Sequence, residues 1–133
     1  MLQRVMLIDD SESDLLFGRI MLERSGVVGE VLTAESGAEA LRRLAGPEGL
    51  AVDLVLLDIN MPGMDGFAFL DRWCPDDGRG PAVVMLTSSP DPGDRARAAT
   101  FPCVRGYLTK PLDRAAVIDL DLHLAGRAPP AGP

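Results

Sequence analysis

Short strand-like runs recur along the chain, and four of them stop at a polar residue. Val5-Met6-Leu7-Ile8 ends in Asp9-Asp10, and Leu54 to Leu57 ends in Asp58. Ala82 to Leu86 ends in Thr87-Ser88-Ser89, and residues 104–109 lead into Lys110-Pro111. An unbroken run of four to six apolar residues reads as a strand buried on both faces, the habit of parallel sheets between helix layers. A fifth run, residues 27–33, has no such polar end. Between the runs the spacing changes to that of helices. Leu15, Leu16, Ile20 and Leu22 predict a helix over residues 13–25, stopped at Gly26. Ser36 and Glu39 form a capping box for a second helix that buries Leu41 and Leu44 and ends near Gly46-Pro47. Asp65 is placed to cap a third, carrying Phe67, Leu70 and Trp73, with Trp73 in or beside the core. Residues 74–81 form a loop. Asp91-Pro92 reads as an N-cap followed by proline at the first helical position. The helix it opens is rich in Ala and Arg, has little apolar surface, and stops at Phe101-Pro102, so it is expected to pack loosely. A last helix, residues 113–125, buries Val117, Leu120 and Leu124.

Five strands alternating with five helices predict an α/β fold, a doubly wound five-stranded parallel sheet covered on both faces. The flavodoxin-like strand order 2-1-3-4-5 is one of two common solutions. It makes strands 1, 3, 4 and 5 neighbours, and those are the four with polar ends. Residues 1–126 form one domain, and residues 127–133, rich in Pro, Gly and Ala, a flexible tail.

That order gathers Asp9, Asp10, Asp58, Thr87 and Lys110 on one edge of the sheet. Two carboxylates ~4 Å apart repel by about 4 kcal/mol at an effective dielectric of 20. Lys110 supplies one positive charge against three negative ones. A hard divalent cation that prefers oxygen, such as Mg²⁺, supplies the rest. Flanked by metal and ammonium, Asp58 becomes a carboxylate nucleophile for a phosphoryl group, with the Thr87 hydroxyl and the Lys110 charge available to the phosphate oxygens.

Composition narrows the reading. Of 13 Lys and Arg residues, Lys110 is the only lysine. The net charge of -7 argues against non-specific nucleic-acid binding. Cys74 and Cys103 lack metal spacing and read as free thiols in a reducing compartment. No apolar run approaches a membrane span, and no signal peptide is recognisable, so the expected location is cytoplasmic. A phosphatase or nucleotide-binding alternative would need a glycine-rich loop after the first strand, where the chain instead has Asp9-Asp10-Ser11-Glu12.

Over residues 3–125 the chain resembles the receiver domain of two-component response regulators, in its stand-alone, CheY-like form. The motifs are Asp9-Asp10, the stretch from Asp58 through Asn60-Met61-Pro62-Gly63 to Asp65-Gly66, Thr87, Tyr107 and Lys110-Pro111. The resemblance implies that Asp58 is the phospho-acceptor. It implies that Mg²⁺ or Mn²⁺ is held by the Asp10 and Asp58 side chains and the Asn60 backbone carbonyl, with Asp9 acting indirectly. Thr87, Ser88 and Lys110 would bind phosphate, Thr87 and Tyr107 would form the switch, and Pro111 would be cis. A histidine kinase or phosphotransfer protein would donate the phosphoryl group. The face formed by the fourth helix, fifth strand and fifth helix would control a target protein, with no direct role for nucleic acid or membrane. Slow autodephosphorylation would reset a switch that is not a dedicated enzyme. The alternative is a degenerate receiver that binds partners without phosphorylation. Two departures stand out: Ser88, where the family usually has Ala or Gly, and Phe101-Pro102-Cys103, in place of its usual Gly-Ala junction. Other readings stay open for single residues. Asp9 is also placed to cap the first helix, Thr87 and Ser88 to serve as turn hydroxyls, and Tyr107 to be ordinary strand surface. Arg95, Arg97 and Arg105 form either a docking patch or a solvated face, and His123 lies near solvent on the last helix with no chemistry assigned.

Overall fold

A computed structural model describes residues 1–74, 80–88 and 90–127. Its elements are β1 (Leu2–Ile8), α1 (Glu12–Arg24), β2 (Val28–Ala34), α2 (Gly37–Ala45), β3 (Leu54–Asp58), α3 (Gly66–Arg72), β4 (Ala82–Thr87), α4 (Pro92–Ala98), β5 (Val104–Thr109) and α5 (Arg114–Arg127). The strands form one parallel sheet in the order β2-β1-β3-β4-β5, as the alternating pattern predicts. Residues 75–79 of the predicted loop, Ser89 and the segment 128–133, most of the expected tail, lie outside the described residues.

The unbroken apolar runs are explained by two cores, one on each face of the sheet. Met6, Ile8, Val55, Leu57, Val83 and Met85 point to one, shared with Ala40, Phe67, Phe69 and Leu70 of α2 and α3. Val5, Leu7, Leu54, Leu56, Val84 and Leu86 point to the other, shared with Leu15 and Leu22 of α1 and Val117 and Leu120 of α5. Successive side chains of a strand alternate in direction, so a strand covered on both faces needs apolar residues throughout. β2 and β5 sit at the two edges of the sheet and are less buried.

Three of the four helix caps, at Ser36, Asp65 and Asp91, are those the sequence predicts; the fourth, Ser11, is not. Ser11, Ser36, Asp65 and Asp91 each accept a hydrogen bond from a backbone N–H in the first turn of α1, α2, α3 and α4. In the predicted capping box the reciprocal bond is displaced by one residue: the Glu39 carboxylate accepts from the Glu35 N–H, 2.7 Å away. Trp73 is half-buried at the end of α3, its ring 5.6 Å from that of Phe69. α4 buries only Ala98, in keeping with its sparse apolar face.

Three features depart from the expected layout. β1 begins at Leu2, because the Asp53 carboxylate accepts from the Gln3 and Arg4 N–H groups. A 3₁₀ turn, Pro47–Ala51, joins α2 to β3. The third is a correction: Cys74 and Cys103 are not free thiols but are joined as a disulfide, with Cα atoms 5.5 Å apart. Cys74 follows α3 and Cys103 precedes β5, and parallel packing brings those two points together although they are 29 residues apart.

Candidate functional site

The register sets the site. Ile8 is level with Leu57, Asp58 with Leu86, and Thr87 with Thr109, so the four polar ends emerge at one level. The chain leaves β1 toward β2 on one side, while β3 lies on its other side. This is the topological switch point at which open α/β sheets place their sites. Backbone hydrogen bonds fix the emerging chains: Asp9 N–H to Ala34 O at 3.1 Å, Ile59 N–H to Leu86 O at 3.1 Å and Lys110 N–H to Thr87 O at 2.8 Å. The turn after Asp58 depends on two glycines. Gly63 has φ +78°, a left-handed conformation other residues rarely adopt. A Cβ on Gly66 would lie 2.8 Å from the Asp58 carbonyl oxygen, so α3 can start this close to β3 only without a side chain there.

Carboxylate oxygens of Asp9, Asp10 and Asp58 all lie within 4.8 Å of one another. Asp9 and Asp58 are buried, and Asp10 is exposed. Asp9 is not the cap of α1, a role taken by Ser11; its own Oδ1 accepts from the Ser11 N–H at 2.9 Å. The Lys110 ammonium enters from the β5 side. It lies 2.5 Å from Asp9 Oδ2, 3.0 Å from Asp14 Oδ2 and 3.5 Å from Asp58 Oδ1. Burial works against its charge, but the hydrogen bonds to Asp9 and Asp14 and the charges of Asp58 and Asp9 outweigh that and raise its pKa above the ordinary lysine range. Asp58 goes the other way. Burial, then the Asp9 charge, push its pKa up to about 6, against the opposing pull of Lys110 and the Asn60 backbone. A buried carboxylate left short of positive charge, with two more carboxylates beside it, is a donor set that fits a divalent cation.

The remaining expected residues fall around this centre. Thr87 is fully buried at the end of β4, and Ser88 is exposed next to it. Ser88 lines a cavity of about 300 Å³ between α1 and the turn after β5, together with Phe17, Gly18, Lys110 and Pro111. The Lys110–Pro111 peptide bond is cis. Tyr107 lies half-buried on β5, its ring 5.4 Å below the Arg95 guanidinium. Arg97 lies 4.3 Å over Phe67, whose ring stacks on Phe101 at 6.2 Å. So Arg95 and Arg97 are exposed yet each covers an aromatic ring, and the Phe101-Pro102-Cys103 departure is anchored by stacking and by the disulfide. His123 is exposed on α5, away from these groups.

Among the described residues, the Tyr107 hydroxyl is buried with no hydrogen-bond partner. A buried unsatisfied hydroxyl costs about 1 to 3 kcal/mol. Tyr107→Phe removes that cost and keeps the ring under Arg95. The expected result is a variant at least as stable as wild type, by about 1 kcal/mol in urea unfolding. A clear loss of stability would mean the hydroxyl is paired in solution.

Asp14 was not expected here. From the sequence it is a first-turn acid of α1, favourable at a helix N-terminus in any fold. Only the packing of α1 beside β1 and α5 brings it within reach of Lys110.

A parallel five-stranded sheet with this acidic pocket, lysine and cis proline defines a signalling domain: the chain belongs to the response regulator receiver domain family, whose model matches residues 5–120. It is similar to protein PilH of Pseudomonas aeruginosa, with 32% identity over 126 residues that cover 92% of this chain and 98% of PilH. It is also similar to the chemotaxis protein CheY of Treponema pallidum, at 30% identity over 87% of this chain and 78% of CheY. Among solved structures, a two-component response regulator from Cytophaga hutchinsonii superposes with a TM-score of 0.81, at 29% identity over 93% of this chain and 98% of that one. Receivers of this family are signalling switches rather than dedicated catalysts. None of the described helices is long and apolar enough to cross a membrane.

Proposed function

We propose that this chain is a phospho-accepting switch with Asp58 as its acceptor. The observation that carries the reading is the placement of Asp58. It is buried at the end of β3, 3.5 Å from the Lys110 ammonium, within 4.8 Å of two further carboxylates. An Asp58 carboxylate oxygen attacks phosphorus in a phosphohistidine of a histidine kinase or phosphotransfer protein. The P–O bond forms as the P–N bond breaks, and the imidazole leaves. Lys110 stabilises charge on the equatorial oxygens, and the Thr87 hydroxyl is next in line to meet them. Asp10, Asp58 and the Asn60 carbonyl are the groups that would hold a divalent ion, with Asp9 fixing Lys110 beside it. The ion, when bound, neutralises the carboxylates and the incoming phosphoryl oxygens. Exposed Leu16 and Phe17 on α1, at 61% and 44% of their surface, offer a donor protein an apolar landing beside the pocket.

Phosphorylation adds charge and acceptor oxygens beside Thr87. Thr87 moves toward them, and Tyr107, whose hydroxyl is unsatisfied where it stands, turns into the space released. Arg95 rides on the Tyr107 ring, so the turn is passed to α4 and to the face that a target protein reads. Hydrolysis of the acyl phosphate resets the domain. The cytoplasm, where histidine kinases present their phosphohistidine, is the compartment that suits this role.

Incubation with Mg²⁺ and acetyl phosphate, followed by intact mass, tests the proposal. One added phosphoryl group is expected; none under varied donors would favour a receiver that works by binding alone. Mg²⁺ itself is expected to stabilise the native state, by about 1.4 kcal/mol or 3 to 5 °C in melting temperature at tenfold excess over its dissociation constant. The shift should be larger at pH 8 than at pH 5, since below about 6 a proton occupies Asp58. Equal shifts at both pH values would remove Asp58 from the metal's ligands.

A further inference from the structure

Lys110 is held by one carboxylate more than phosphoryl transfer requires. Its ammonium donates to Asp9 and to Asp14, at 2.5 and 3.0 Å, and Asp58 is its most distant acidic neighbour, at 3.5 Å. Two of its three protons are committed to Asp9 and Asp14 and the third faces Asp58 across 3.5 Å, so closing on a phosphoryl oxygen there draws the ammonium away from one of its two partners. Asp9 is a poor contact to lose, because its side chain is 2% exposed and would be left as an uncompensated buried charge. The Asp14 side chain is 48% exposed, so water can replace its partner. Asp14 therefore gives way first. It lies on α1, and Lys110 lies in the turn after β5, so their contact ties the two walls of the cavity between them.

We propose that Asp14 is a positioning residue for Lys110. It draws the ammonium toward α1 while Asp58 is bare, and it competes with a phosphoryl oxygen for that ammonium. Each phosphorylation then breaks, and each dephosphorylation remakes, a contact between α1 and the β5–α5 turn. This rests on the reading of Asp58 as acceptor.

The test uses beryllofluoride with Mg²⁺ as a phosphoryl mimic, on wild type, Asp14→Asn, Asp14→Glu and Asp58→Asn. Affinity is read by fluorine NMR. Because Lys110 is the only lysine, nitrogen-15 lysine labelling gives a single ammonium signal that reports its partners. Asp14→Asn is expected to bind beryllofluoride about threefold more tightly, the scale of a half-exposed ion pair. Its free-state ammonium signal should already lie part of the way toward the bound position. Asp14→Glu should restore both wild-type affinity and wild-type signal, which a merely structural role would not predict. Unchanged or weaker binding by Asp14→Asn, or no rescue by Asp14→Glu, overturns the role of Asp14. If neither wild type nor the Asp14 variants take up beryllofluoride, the acceptor reading itself falls and the competition falls with it.

Discussion

Asp58→Asn is expected to abolish phosphoryl uptake and, without metal, to make the protein more stable. The first effect is chemical: an amide oxygen is not the nucleophile that a carboxylate is, and intact mass after acetyl phosphate and Mg²⁺ should show no adduct. The second follows from the raised pKa. Asp58 keeps its proton to about pH 6 in the native state and to about 3.8 in the unfolded chain. Between those values the native state binds more protons, so metal-free stability falls as pH rises through the window. Above pH 6 the full cost is present, on the order of 2 to 3 kcal/mol. Asparagine has the same shape and no charge, so the variant escapes that cost and loses the pH dependence. Urea unfolding in chelator at pH 5 and pH 7.5 checks both. Wild type should be the less stable at the higher pH, and the variant nearly flat. A variant less stable than wild type at pH 7.5 would mean that Lys110 needs Asp58 more than Asp58 strains the fold.

Reduction of the Cys74–Cys103 disulfide should have a comparable effect of opposite sign. Bridging residues 29 apart removes conformational freedom from the unfolded chain, worth about 3 to 4 kcal/mol in the loop-entropy account. For a domain of this size that is about 10 °C of melting temperature. Cys103 is also buried, so Cys103→Ala leaves a small void and tests the bond without reductant. Trp73 adjoins Cys74 and is the only tryptophan, so its emission, quenched by a neighbouring disulfide, should rise on reduction. An unchanged melt and an unchanged emission would mean that the sulfurs are not bonded in solution. In a reducing compartment the bond opens, and the less stable dithiol form is the one at work there.

Much of this architecture was legible in the sequence. β3 and β4 announce themselves because strands buried on both faces leave no polar residue until they end, and they end at Asp58 and Thr87. The unique lysine and the acids of β1 and β3 then follow from strand order alone. The less legible features depend on contacts between distant segments. The start of β1 is set by Asp53, some fifty residues on. Asp14 looks like helix-terminus chemistry until α1 is packed beside β1 and α5, where Lys110 meets it. Cys74 and Cys103 carry no spacing signature, since nothing in a 29-residue interval says that its ends meet.

That cross-link encloses more than a stretch of scaffold. The closed ring runs from the end of α3 through β4 and α4 to the start of β5, so Thr87, Arg95 and Arg97 all ride within it while Tyr107 stands just beyond its clasp. The bond clasps the two ends of that segment together, so whatever α4 does starts from a fixed base. The oxidised and reduced domains therefore offer a partner on the α4 side the same helix on two different footings, one clasped and one open.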